Sequence, residues 1–409
     1  MGRNSDLGGM ELLLSKLDKI DSRLDSIEEK IEANTERIHD IGDNTVVKRM
    51  IRMGTEDVGE VCGVISVGHN ELIGERGPSA LSAKKKADRN KRQALGAKIF
   101  GVYCMIYGVL MILSYQGMLP LFAWETMKFK RAEIVSVWLG DNMHLPFVFS
   151  LAYVITIFGI QHVMKDHKEF DLRMPLAIWS LLLAAFSLGG SLRTVPVLIK
   201  LIQEKGLYHL VCGDTRVDWV IDNPAGVWTM FFIFSKVPEL IDTLFIVLRK
   251  RKLITLHWYH HITVMTFCWH SWATFCLNGL VYSSLNLTVH AFMYFFYALT
   301  ALGYRPTAYA MYITIIQILQ MVVGTAVTTY TNYHLHFVVP QDLSFTLKSH
   351  WNPLQDGRDQ SPSCKVNKLN ALAGLIMYGS YLWLFCVFFY VSYIKPKAPK
   401  KRVSKSKHQ

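Results

Sequence analysis

With 409 residues, 51% of them hydrophobic and only 19% charged, the chain is too apolar for a soluble protein of one or two domains. Its net charge of +12 would suit nucleic acid, but much of the excess sits beside apolar segments, as in KKKADRNKR (84–92), RKRK (249–252) and the tail KPKAPKKRVSKSK (395–407). Such runs mark the cytosolic side of a membrane rather than a nucleic-acid surface.

Residues 1–42 carry Leu13, Leu17, Ile20, Leu24, Ile27, Ile31, Asn34, Ile38 and Ile41 at alternating spacings of three and four, the seam of a coiled coil. Parallel self-association, and hence a homo-oligomer, is expected. Residues 43–98, rich in Gly and charge without a sustained period, read as a flexible linker. The apolar segment 99–122, broken by Gly101, Gly108, Gly117 and Pro120, is a candidate extra span. Seven further runs approach the roughly 20 residues that cross a bilayer: 145–163, 175–202, 226–248, 256–277, 281–302, 308–330 and 370–394.

The expected fold is an all-α polytopic membrane protein, with a seven-span domain over 123–395, an extra N-terminal span before it and a basic tail, 396–409, after it. Eight crossings with 84–92 in the cytosol also place RKRK and the C-terminus there. The last five residues, KSKHQ, match the dilysine KxKxx retrieval signal and point to the endoplasmic reticulum. Cys212 and Cys364 both fall in lumenal loops under this topology, so a disulfide between them is expected; no CxxC pair indicates zinc.

Ionisable residues inside a span cost on the order of 2.5–3.5 kcal/mol, so each needs a partner or a task. The third run of the seven-span domain holds SKVPELIDTLF, with Lys236, Glu239 and Thr243 at helical spacing and Asp242 on an adjoining face. The fourth opens with LHWYHHITV, placing His257, His260 and His261 on one face near the cytosolic surface. The fifth carries NLTVHAFMYFFY, with Asn286, His290, Tyr294 and Tyr297 on one face, and the sixth TIIQILQ, with Thr314, Gln317 and Gln320. A lone polar residue would be read as glue between helices; four stripes on successive spans suggest a polar chamber entered from the cytosol.

Three chemistries compete for this chamber. HxxHH together with HxxxxH at His162 and His167 resembles the membrane di-iron desaturases and hydroxylases, but His334 and His336 lie on the lumenal side and no third cytosolic histidine box exists. A seven-span receptor or transporter would share the span count, yet a receptor needs no row of imidazoles and the paired half-helices of transporters are not seen. Acyl transfer suits the cluster, because one imidazole can attack while its neighbours hold or deliver protons at neutral pH.

KVPELIDT (236–243), HWYHH (257–261), NLTVHAFMYFFY (286–297) and TIIQILQ (314–320), in this order on consecutive spans, resemble the very-long-chain fatty acid elongases of the ELO family. HWYHHITV and FDLRMPL (170–176) look most like the branch that extends saturated and monounsaturated chains. The resemblance implies a seven-helix barrel around an acyl tunnel. It implies condensation of a long-chain acyl-CoA with malonyl-CoA to 3-ketoacyl-CoA, CO2 and CoA, with neither metal nor organic cofactor. Carried over, His260 is the nucleophile that takes the acyl group, His290 faces it, and His257 and His261 orient it or assist decarboxylation. Lys236, Asn286, Tyr294 and Gln320, with Gln317 on the same stripe, contact substrate, backed by Glu239 and Asp242. Cys212 and Cys364 fall where that family pairs lumenal cysteines, and reductase and dehydratase partners of the elongation cycle are implied.

Overall fold

A backbone in hydrocarbon has to satisfy its own hydrogen bonds, and the chain does so through helices. The computed structural model describes residues 80–126, 128–276, 278–338, 364 and 366–395. The heptad repeat, residues 43–79 of the linker and the KxKxx signal lie outside the described residues. Among those described no strand forms, and ten α-helices follow in order. They are α1 (Ala80–Tyr115), α2 (Phe129–Asp141), α3 (Leu145–Val163), α4 (Arg173–Cys212) and α5 (Pro224–Ser235), then α6 (Ile241–Leu248), α7 (Thr255–Ala273), α8 (Gly279–Ala301), α9 (Thr307–Tyr333) and α10 (Lys368–Phe389).

The extra apolar segment is not broken where its glycines suggest. α1 starts at Ala80, inside the stretch read as linker, and runs through Gly101 and Gly108 to Tyr115; only Gly117 leaves helical space, at φ 74°. An interior glycine costs a helix only roughly 0.5–1 kcal/mol relative to alanine, and at Gly96 close packing gives the residue a use. A Cβ on Gly96 would lie 2.3 Å from the Tyr304 carbonyl oxygen, so glycine alone lets α1 approach the turn between α8 and α9 this closely. After α1 the chain turns back through Glu125, which is 1% exposed. Its carboxylate accepts from Arg193 Nε at 2.7 Å, from Trp228 Nε1 at 2.8 Å and from its own turn at Phe122 N. The short helix α2 was not foreseen; Ser136 on it donates to the last carbonyls of α7.

Among the described residues five helical segments are long and apolar enough to cross a membrane: Lys84–Tyr115, Leu145–Val163, Arg173–Cys212, Thr307–Phe337 and Lys368–Ile394. The chain is thus a multi-pass membrane protein. The run 226–248, expected as a single span, is instead divided into α5, a tight turn at Pro238–Leu240 and α6. Pro238 has no N–H to give to the preceding turn, which breaks the ladder at the position where Lys236 and Glu239 enter the interior. α7 and α8, at 19 and 23 residues, are long enough to span but carry the histidine and asparagine faces.

A disulfide joins Cys212, at the end of α4, to Cys364, just before α10, across a sequence separation of 152. Beside it, burial opposes the charge on Asp218, yet hydrogen bonds from Lys205 and His209 hold its carboxyl below the usual range. Cross-linking so long a loop restricts the unfolded chain, so Cys212→Ser is expected to cost about 2–4 kcal/mol. Thermal unfolding in detergent checks this, and a Tm equal to that of the native protein would remove the bond from the stability account.

Candidate active site

Ile254 is extended, and α7 begins at Thr255, so the first two turns of the helix present the histidines. The ring centroids of His257 and His261 are 4.6 Å apart and those of His260 and His261 5.6 Å. His261 is 5% exposed and its Nδ1 has no hydrogen-bond partner among the described residues. His260 is partly buried, and among the described residues no hydrogen bond engages its ring. Tyr381 of α10 holds it in place, with ring centroids 5.0 Å apart and the phenol donating to the His260 carbonyl at 3.2 Å.

The residues of the divided span converge on α8. Lys236 Nζ donates to Glu239 Oε1 at 2.7 Å, to Oε2 at 3.0 Å and to Asn286 Oδ1 at 3.2 Å, and sits 4.1 Å from the Phe232 ring. All three ammonium donors are used, which is the condition for burying a charge that is 1% exposed. Because Lys236 claims the amide oxygen, Asn286 turns its nitrogen toward His290 and donates to Nε2 at 3.2 Å. In a neutral ring that assignment leaves the proton on Nδ1. Glu239, Lys236, Asn286 and His290 thus form one orienting chain. His290, Lys236, Glu239 and His257 are the electrostatic neighbours of His260.

Asp242 takes a separate pair of bonds, accepting from Trp179 Nε1 at 2.6 Å and from the Tyr294 hydroxyl at 2.7 Å. Tyr294 therefore spends its proton on Asp242, while its ring stands edge-on to His290 at 5.2 Å. Tyr297, expected on the same face, is 44% exposed. On α9 the stripe divides: Gln320 is buried, Thr314 reaches Tyr393, and Gln317 donates to Met293 Sδ, one turn beyond His290. Gln317 is thus held against α8. His162 and His167 end α3 at the surface, and no group of three or more His, Cys, Asp or Glu among the described residues is arranged to hold a metal ion.

Sequence reasoning missed the partners contributed by other spans. Thr243 Oγ1 lies 3.0 Å from His257 Nε2 and 2.7 Å from the Tyr153 hydroxyl of α3, so three helices meet at His257. Trp179 and Tyr381 carried no signal, since an aromatic residue in an apolar run reads as core. Thr243→Val keeps the shape but strands both partners, with an expected loss of about 1–3 kcal/mol. A variant matching the native protein in both Tm and turnover would show that the link does nothing.

Fold and site together define a helical membrane protein whose buried polar side chains gather imidazoles, a lysine and an asparagine on neighbouring helices. The chain belongs to the ELO family (GNS1/SUR4 family), which matches residues 138–401. It is 38% identical over 266 residues to very long chain fatty acid elongase 6 of Drosophila melanogaster, covering 65% of this chain and 77% of that protein. Against very long chain fatty acid elongase 6 of Gallus gallus identity is 39% over 267 residues, 65% and 91% of the two chains. Against very long chain fatty acid elongase 4 of Trypanosoma cruzi (strain CL Brener) it is 35% over 269 residues, 65% and 85%.

Proposed function

We propose that this protein is a fatty acid elongase acting as a 3-ketoacyl-CoA synthase, which joins a long-chain acyl-CoA to malonyl-CoA in the first step of the elongation cycle. The observation that carries the mechanism is His260, an imidazole free of hydrogen bonds among the described residues, set among His257, His261 and His290. A ring nitrogen of His260 attacks the thioester carbonyl; the C–S bond breaks, and CoA leaves as its thiol with the imidazole proton. Malonyl-CoA then loses CO2, and the electron pair of that bond forms the enolate. The enolate carbon attacks the acyl-imidazole carbonyl, a C–C bond forms as the C–N bond breaks, and the departing His260 ring takes up one proton from solvent, the proton that the overall condensation consumes.

Lys236 and Asn286, held by Glu239, aim His290 at this exchange, and His257 is steadied by Thr243 and Tyr153. Charge developing on the thioester oxygen and the enolate falls in this scheme to the His290 Nδ1–H, the donor that the Asn286 bond leaves on the ring, since a donor fixed in advance contributes most. No metal or organic cofactor enters this scheme. The motif likeness supports saturated and monounsaturated long chains as substrates. The basic runs and KxKxx ending support the endoplasmic reticulum membrane with the C-terminus in the cytosol, and the heptad repeat supports self-association. A reductase and a dehydratase must follow on its 3-keto product.

The test is incubation of purified protein with malonyl-CoA and a ladder of saturated acyl-CoAs, with 3-ketoacyl-CoA read by mass spectrometry. Product two carbons longer is expected. Absence of product from every acyl-CoA, with protein shown folded, would overturn the reading.

A further inference from the structure

α1 lies outside the residues that match the family, yet it is seated on α8, the helix that presents Asn286, His290 and Tyr294. Its last turn is tied to α4, by Ser114 to the Leu192 carbonyl and by Tyr115 to Gln203 Oε1 at 2.8 Å, while its middle turns meet α8 next to the catalytic residues. The Tyr103 hydroxyl donates to the Ala291 carbonyl at 3.2 Å, next in sequence to His290, and its ring stacks on Phe295 with centroids 4.0 Å apart. One turn further on, the Tyr107 hydroxyl lies 3.4 Å from Thr288 Oγ1 and its ring 4.6 Å from Phe292. One turn before Tyr103, Phe100 is 3% exposed and packs against Phe295, Phe296 and Tyr309. Gly96 closes the row by its approach to Tyr304. The other side of α1, with Val102, Met105, Val109 and Ile112, is exposed.

A plain membrane anchor needs an apolar surface but no polar bonds to a particular neighbour. Here two phenols and a glycine contact index one helix against another over three turns of α1. At the pitch of an α-helix Thr288, Phe292 and Phe295 lie on the side of α8 away from His290, so α1 holds the back of the helix that carries His290 on its front. We propose that α1 is a brace for this helix, with Tyr103 and Tyr107 as positioning residues that set the depth and rotation of His290 relative to His260. This rests on the elongase reading. The brace acts through geometry, because a displacement near 1 Å at reacting groups can cost on the order of a hundredfold in rate.

The full chain in detergent serves for the test, with kcat and KM for acyl-CoA and malonyl-CoA measured beside Tm. Gly96→Leu drives α1 off the turn at Tyr304 and is expected to lower kcat about tenfold with both KM values unchanged. The pair Tyr103→Phe and Tyr107→Phe removes only the two hydroxyls and is expected to lower kcat severalfold while Tm stays near that of the native protein. Val109→Leu, on the exposed side, should leave all three quantities as they are. If Gly96→Leu does not fold, the tyrosine pair decides. Native kcat in the tyrosine pair together with native kcat in a folded Gly96→Leu would overturn the brace alone. A native protein that makes no 3-ketoacyl-CoA would overturn the elongase reading and the brace with it.

Discussion

His260→Ala is expected to lower condensation at least about a thousandfold, the scale on which loss of a covalent nucleophile acts. Intact-mass measurement after incubation with acyl-CoA alone should show an acyl adduct on the native protein and none on the variant. The fold should survive, because among the described residues no hydrogen bond engages the ring and its main contact is with Tyr381. Loss of His290 should behave differently, slowing turnover while leaving the adduct able to form, since that ring is aimed by Asn286 rather than placed to be acylated in the proposed scheme. Turnover of His260→Ala within tenfold of the native protein would remove it as nucleophile.

Lys236→Met should be the most destabilising single change in the site, by about 3–5 kcal/mol, because it leaves the Glu239 carboxylate buried without its cation. Both partners are almost fully buried, at 1% and 3% exposure, and Ser235 alone would still donate to the carboxylate. The double variant Lys236→Met with Glu239→Gln should regain most of that stability, since no charge is then buried, but not turnover, since nothing holds the Asn286 amide toward His290. Thermal unfolding and the condensation assay on the two variants separate these effects. Equal stability of single and double variants would show that the ion pair does not hold this turn.

Much of the site was legible because helical period puts chemistry on faces. Lys236 and Glu239 are three residues apart and do pair; Asn286, His290 and Tyr294 repeat every four and do share a face; the three histidines of α7 stand together as their spacing requires. On the sixth run the same spacing did not reveal that Gln317 and Thr314 would bond Met293 and Tyr393. It also took 226–248 for one helix, because apolar content outweighed a single proline, and read the glycines of 99–122 as breaks, although the cost of one interior glycine is too small to end a helix this long.

Composition and period by themselves determined that this is a helical multi-pass membrane protein, and motif order pointed to its histidines, lysine and asparagine as one candidate site. These are local properties, set by which side chains a bilayer tolerates and by the pitch of one helix. Only the tertiary structure decided that Trp179 and Tyr294 would claim Asp242, that Tyr153 and Thr243 would hold His257, that Tyr381 would lie against His260, and that α1 would be seated on α8. The sequence separations in these contacts reach 188 residues. No local period constrains such pairs; they are settled when whole helices pack and buried donors and acceptors find whichever partners the packing brings within reach.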